Sequence, residues 1–248
     1  LKDFPIALFL YNREQNRYIN DSTIAYFEAK IITNFARDDG AIDEKDYELE
    51  LELCDLSNVP YEYLHESLKR NGYRRSTCIK KEQKHEERIE GGWGEVEFDF
   101  LSAELKRCRG VSPEGLPCQS NEAIEYTLLN SIVVVNVFDS ILHLENYNEP
   151  LKKVVKSIHT FTSNYIHKEY IVDLSLGVVE TDAGILLTQS KSEPFLKVTN
   201  ERELTKLVSE VDSGAIAAFN FVMTNVEHKY SRQYDKLQDV LAQAGTLK

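Results

Sequence analysis

Tyr170–Gln189 reads YIVDLSLGVVETDAGILLTQ, and how this stretch is read decides where the core lies. Two apolar runs, Ile171–Val179 and Ile185–Leu187, flank Thr181-Asp182-Ala183-Gly184, whose Asp and Gly favour a chain reversal. A continuous apolar run marks a strand with no solvent-facing side. The pattern therefore predicts two paired strands in the middle of a sheet, one of them buried on both faces. A second apolar run, Ser131–Leu144, is expected to lie beside them as strands Ile132–Phe138 and Ile141–Leu144.

Around this core the composition is that of an ordinary globular protein: 248 residues, 42% apolar and 28% charged. No apolar run reaches the roughly 18 residues of a membrane helix. The first residues, LKDFPIALFLYNREQNRY, lack the cleavage pattern of a signal peptide. Cys54, Cys78, Cys108 and Cys118 show no zinc-type spacing, and the chain is long for a disulfide frame. Reduced cysteines and a cytoplasmic location follow as expectations. A net charge of −12 argues against non-specific binding to nucleic acid over the whole surface.

Towards the N-terminus, Ile24, Phe27, Ile31 and Phe35 fall at near-helical spacing, which predicts a helix over Thr23–Ala36. Asp43–Leu56 fits a second helix through Leu49, Leu53 and Leu56, while Tyr47, Leu49, Leu51 and Leu53 alternate as in a strand. Pro60 opens a third helix, Tyr61–Arg70, stopped by Asn71-Gly72. Between the first two, Ala36–Asp43 (ARDDGAID) fails the register of a calcium loop, which puts Phe35 where an oxygen ligand is needed. The same phrase resembles a corner of TerB-type helical domains, a likeness that implies nothing about function.

Three helices, then Arg74–Lys81, a charged stretch to Glu90 and GGWGEVEFDF, form an order that resembles a winged-helix domain over residues 21–100. The resemblance implies a recognition helix and a two-stranded wing. Lys69, Arg70, Arg74, Arg75, Lys80, Lys81, Lys84 and Arg88 place eight of the 29 Lys and Arg in this region. On such a fold they would meet phosphates, with binding that weakens steeply in salt. Tyr73 and Trp93 could add stacking. The competing reading pairs these cations with Glu82, Glu86, Glu87 and Glu90 on a solvated helix face.

Cys108–Cys118, CRGVSPEGLPC, concentrates proline and glycine and marks a boundary between residues 1–108 and 119–248. Beyond it, Glu122–Leu129 reads as helical or extended. Helices are predicted over Leu151–Asn164, Glu201–Val211 and Asn225–Gln243, and strands over Phe195–Val198 and the apolar Ala215–Val222.

The chemical motifs are few. Gly91-Gly92-Trp93-Gly94 lacks the Lys-Ser/Thr of a phosphate loop, and neither G-x-S-x-G nor H-E-x-x-H occurs. Strand, helix, Asp173, hairpin and Gln189 together resemble the closing lobe of ATP-grasp ligases, which implies a magnesium site at Asp173. Thr188, Gln189 and Ser190 depart from the Glu and Asn such a site needs. The sequence therefore predicts an α+β protein: a helical, winged-helix-like N-terminal half, then a mixed β-sheet with packed helices. Its expected role is regulatory binding, without cofactor or metal, to DNA or a protein partner through residues 69–88, with the sheet half available for homodimerisation. The enzymatic alternative is a nucleotide-dependent ATP-grasp-like domain using Asp173, Glu180 and Asp182.

Overall fold

The computed structural model describes residues 6–59, 61–80, 89–92, 95–143, 146, 149–182, 190–210 and 214–233. Over these residues the protein is mainly β, with two sheets of six and seven strands. The smaller sheet runs β5 (Leu51–Leu53), β6 (Thr77–Ile79), β1 (Ile6–Asn12), β8 (Ser131–Leu142), β9 (Leu151–Phe161), with β2 (Arg17–Ile19) also on β1. The larger runs β11 (Ser190–Leu207), β10 (Ile166–Asp182), β12 (Ala215–Met223), β7 (Glu97–Arg107), β3 (Ala25–Ala36), β4 (Ile42–Leu49). A short strand, β13 (His228–Gln233), also joins β10. Both sheets take strands from either side of Cys108–Cys118.

The two sheets bury their facing sides against each other. Alternate residues point inward: Ile6, Leu8 and Leu10 with Val133, Val135 and Val137 from one sheet, and Leu101, Ala103 and Leu105 with Phe219 and Phe221 from the other. On the far side of the smaller sheet, Ala7 and Phe138 are covered by Leu56, Leu64, Leu68 and Tyr73. That cover is a chain of 3₁₀ turns and one six-residue helix, α1 (His65–Arg70), stapled by the Cys54–Cys78 disulfide. A second disulfide, Cys108–Cys118, closes a loop whose ends pair at Val111 and Pro117.

β10 is the spine of the larger sheet. It pairs along its whole length with antiparallel β11; its other edge is shared in parallel by β12 over Lys168–Leu174 and β13 over Gly177–Asp182. Tyr170–Ser175 is buried on both faces. At the start of β10, Val208 N–H donates to Tyr165 C=O, and the ring Nδ1 of buried His167 lies 2.9 Å from Ala215 C=O. Ile185–Leu187 and Ala183-Gly184 lie outside the described residues, and the strand that pairs with β10 is Ser190–Leu207.

The α+β expectation is overturned. Thr23–Ala36 is mostly strand β3, Asp43–Leu56 supplies β4 and β5, Leu151–Asn164 supplies β9, and Glu201–Leu207 continues β11. The physical reason is that a spacing of four satisfies both periods. Phe27, Ile31 and Phe35 share a helix face, and as even-numbered steps they also share one side of a strand. The winged-helix reading falls with the helices, since the described residues of Asp21–Phe100 hold β3, β4, β5, β6 and the start of β7 around one short α-helix. Residues 81–88 and 93–94, most of the expected wing with Trp93, lie outside the described residues. Of the predicted helices α1 remains, at the end of Tyr61–Arg70, while Asn225–Gln243 holds strand β13. Glu122–Leu129, read as helical or extended, lies in α2 (Asn121–Leu129), where Ala123 N–H donates to the Ser120 hydroxyl. The expectation of reduced cysteines is corrected too, because all four are disulfide-bonded.

Candidate functional site

At one end of the sandwich the larger sheet outruns the smaller. The inward side of β10 and β11 carries a ladder of apolar cross-strand pairs: Leu174 with Val198, Leu176 with Leu196, and Val178 with Pro194. The first pair lies in the core. One step along, the cover ends, and Leu176 is 52% exposed where Leu174 is fully buried. The result is a groove enclosing about 1230 Å³, floored by Leu174, Leu176, Leu196 and Met223. Its walls are Leu151, Lys152 and Lys153 at the start of β9, Tyr61 and Tyr63 from the disulfide-stapled cover, and His143, Glu62, Glu90 and Glu149 at the rim.

Two local devices hold these walls. Gly177 is needed opposite Phe195 because a Cβ there would sit 2.3 Å from the ring, so the aromatic face lies flat on the glycine backbone. Tyr63 reaches β9, where its hydroxyl donates to Lys153 C=O (3.2 Å) and accepts from Lys153 N–H (2.9 Å). Those backbone groups face away from β8, on the open edge of the smaller sheet.

The sandwich seam beside the groove is polar. A bulge in β11 between Val198 and Asn200 frees Val198 N–H, which donates to Asp139 Oδ1 of β8 at 3.1 Å. Lys156 of β9 pairs with Glu201 of β11 at 2.6 Å. Farther in, Tyr170 donates to Glu203, and burial followed by that hydrogen bond pushes the phenol up to about 12. The same bond, helped by Lys168, holds the Glu203 carboxyl below its usual range. Under the cover, burial and then the nearby Asp55 charge push Tyr73 up to about 12 as well.

The expected basic patch is only partly gathered, and it is interleaved with acids. Lys69 pairs with Glu66 at 2.6 Å and Lys80 with Glu50 at 2.7 Å, and the Arg75 guanidinium lies over the Tyr18 ring at 5.2 Å. Arg70 and Arg74 face solvent, and Arg74 adds to the lowering of both Asp55 and Glu66. Lys81, Lys84 and Arg88 lie outside the described residues. Asp173, the acid of the ATP-grasp resemblance, is held in the sheet by Arg202 (2.8 Å) and Asn200 (3.2 Å) on the adjacent strand. Glu180 pairs with Lys229 at 2.7 Å. Among the described residues no group of three or more His, Cys, Asp or Glu is placed to hold a metal ion. Nor is any helix long and apolar enough to cross a membrane.

The sequence reading missed the groove. Lys152 and Lys153 fall in the predicted helix Leu151–Asn164, and Tyr61 and Tyr63 in the predicted helix Tyr61–Arg70. The legible signal was Leu176 and Gly177 at the distal part of the apolar run.

A family model described as "Uncharacterised 80 kDa protein N-terminal domain" matches residues 7–224, strands of both sheets included. The chain belongs to this family. No curated protein matches it. Among solved structures, the crystal structure of Erv41p is similar at 12% identity and a TM-score of 0.28, covering 92% of this chain and 93% of that one. So low a score carries no argument about fold or function.

Proposed function

We propose that the domain is a non-catalytic binding module that holds a segment of a protein partner in the groove at the open end of the sandwich. The observation that carries this reading is the ladder of apolar pairs continuing past the cover, with Leu176 half exposed over a floor contiguous with the core. Exposed apolar surface that is concave and rimmed by polar groups is the usual form of a recognition site. The family's description as the N-terminal domain of an 80 kDa protein fits a module acting beside other parts of a longer chain.

The two disulfides support work in an oxidising compartment rather than the cytoplasm, because such bonds persist where thiols are not kept reduced. A partner protein is favoured over nucleic acid because Lys69 and Lys80 are paired with carboxylates, Arg75 covers a tyrosine ring, and the chain carries −12 overall. Panning a random peptide library on the wild-type domain, with counter-selection on Leu176→Asp, tests the reading. Selected peptides should carry bulky apolar residues and should lose binding to Leu176→Asp. Peptides that bind both proteins equally would refute it.

A further inference from the structure

We infer that β9, whose first residues Leu151–Lys153 line the groove, is a strand-addition edge that receives an extended acidic segment of the partner. This rests on the partner-binding reading above and specifies the chemistry of the segment. The β8–β9 register is regular throughout, and Pro150 C=O accepts from His143 N–H. The alternation of an antiparallel ladder then directs the N–H and C=O of Lys153, Val155, Ser157 and His159 to the outer edge. At Lys153 the Tyr63 hydroxyl meets both groups. At Val155, Ser157 and His159 no hydrogen bond to the edge occurs among the described residues.

Among the described residues the other long edges are guarded, while this one is met at Lys153 by Tyr63. β11 is broken by a bulge, carries Pro194 and is capped by Asp139. β4 is lined by Asp43, Glu44, Lys45, Asp46 and Glu48. β9 has eleven residues without proline or bulge, and two of its three lysines are drawn back onto the protein, Lys153 to Ser140 and Lys156 to Glu201. Backbone pairing along such an edge is a general mode of peptide capture.

Charge selects the occupant. Leu151–Phe161 contains Lys152, Lys153 and Lys156 and no acid, in a chain whose net charge is −12. An added strand would set its side chains beside Lys152, the exposed lysine of the three, where an opposite charge favours pairing and a like charge opposes it. An extended segment alternating Asp or Glu with apolar residues matches the edge, and its apolar members match the floor of Leu176 and Leu196.

The probe is the synthetic peptide IDEKDYELELEL, which copies residues 42–53 of this chain and has the required acidic, strand-forming pattern. Wild-type protein should bind it saturably, more tightly at low salt, and should not bind a version with every Asp and Glu replaced by Lys. Val155→Pro removes one outward N–H and no bond to β8; it should weaken binding about tenfold, roughly the worth of a lost backbone hydrogen bond. Ser157→Pro serves as a second edge block, and unchanged melting of either variant certifies its fold. Equal binding by wild type and both proline variants would overturn the inference. So would no binding of the acidic peptide while library peptides still require Leu176, an outcome that leaves the groove reading intact. Concentration-dependent self-association that the peptide dissolves would also overturn it, by making the occupant a second copy.

Discussion

The Tyr63 hydroxyl sits between the backbone N–H and C=O of Lys153, at 2.9 and 3.2 Å, in the place a neighbouring strand would occupy. One side chain from the disulfide-stapled cover thus closes the first step of an otherwise open edge. Tyr63→Phe removes both bonds without changing ring packing. The variant should lose about 1 kcal/mol of stability and exchange its Lys153 amide faster, with the rest of β9 unchanged by amide NMR.

Gly177 and Phe195 make a second cross-strand pair that admits no larger residue. Gly177→Val should cost about 1–3 kcal/mol, because a side chain there forces the Phe195 ring off the strand beside the groove. A drop in melting temperature that Phe195→Ala largely cancels would identify the clash as the cause, while additive losses would deny it.

Alkaline pH should unfold the protein through two phenols. Tyr73 and Tyr170 are both pushed up to about 12, so the unfolded chain releases these protons near pH 10 while the folded one keeps them. Their stabilisation is complete below pH 10 and is lost as pH rises towards 12. Denaturant midpoints should fall across that window, less steeply in Tyr170→Phe. An unchanged slope would count against the Tyr170 contribution.

The disulfides should matter for folding. Cys54–Cys78 and Cys108–Cys118 are separated by 24 and 10 residues, so each should contribute roughly 3 kcal/mol by restricting the unfolded chain. Native protein should titrate no free thiol. Cys54→Ser with Cys78→Ser should melt earlier and free the Tyr61–Tyr63 wall, seen as faster exchange there and at Lys153.

What the sequence disclosed follows from which residues had an unambiguous period. The run Ile171–Val179 reads as a strand buried on both faces; β10 is buried so over Tyr170–Ser175, while Leu176 is half exposed. Phe27, Ile31 and Phe35 could not decide between helix and strand, because steps of four serve both, and β7, which pairs along β3, is remote in sequence. The same holds for Leu151–Phe161, where Val154 and Ile158 sit four apart. The disulfides were hidden because no zinc-like or framework spacing governs them. Cys78 meets Cys54 through the pairing of β6 with β5, and Cys118 meets Cys108 through one tight loop. The groove was illegible for a further reason: it depends on where one sheet stops relative to the other.

The placement of the patch in sequence gives a direct contest between two surfaces. Fluorescence anisotropy with duplex DNA at low salt should show no binding that vanishes in Arg70→Glu with Arg74→Glu, since the neighbouring Lys69 and Lys80 are already paired with carboxylates. A salt-sensitive complex lost in that variant would return the function to the basic segment.

Methyl NMR of the domain during titration with a library-selected peptide tests the groove most directly. Shifts centred on Leu151, Leu174, Leu176, Leu196 and Met223 are the predicted result. Shifts centred instead on the leucines of the cover, Leu64 and Leu68, with the floor methyls unmoved, would contradict it.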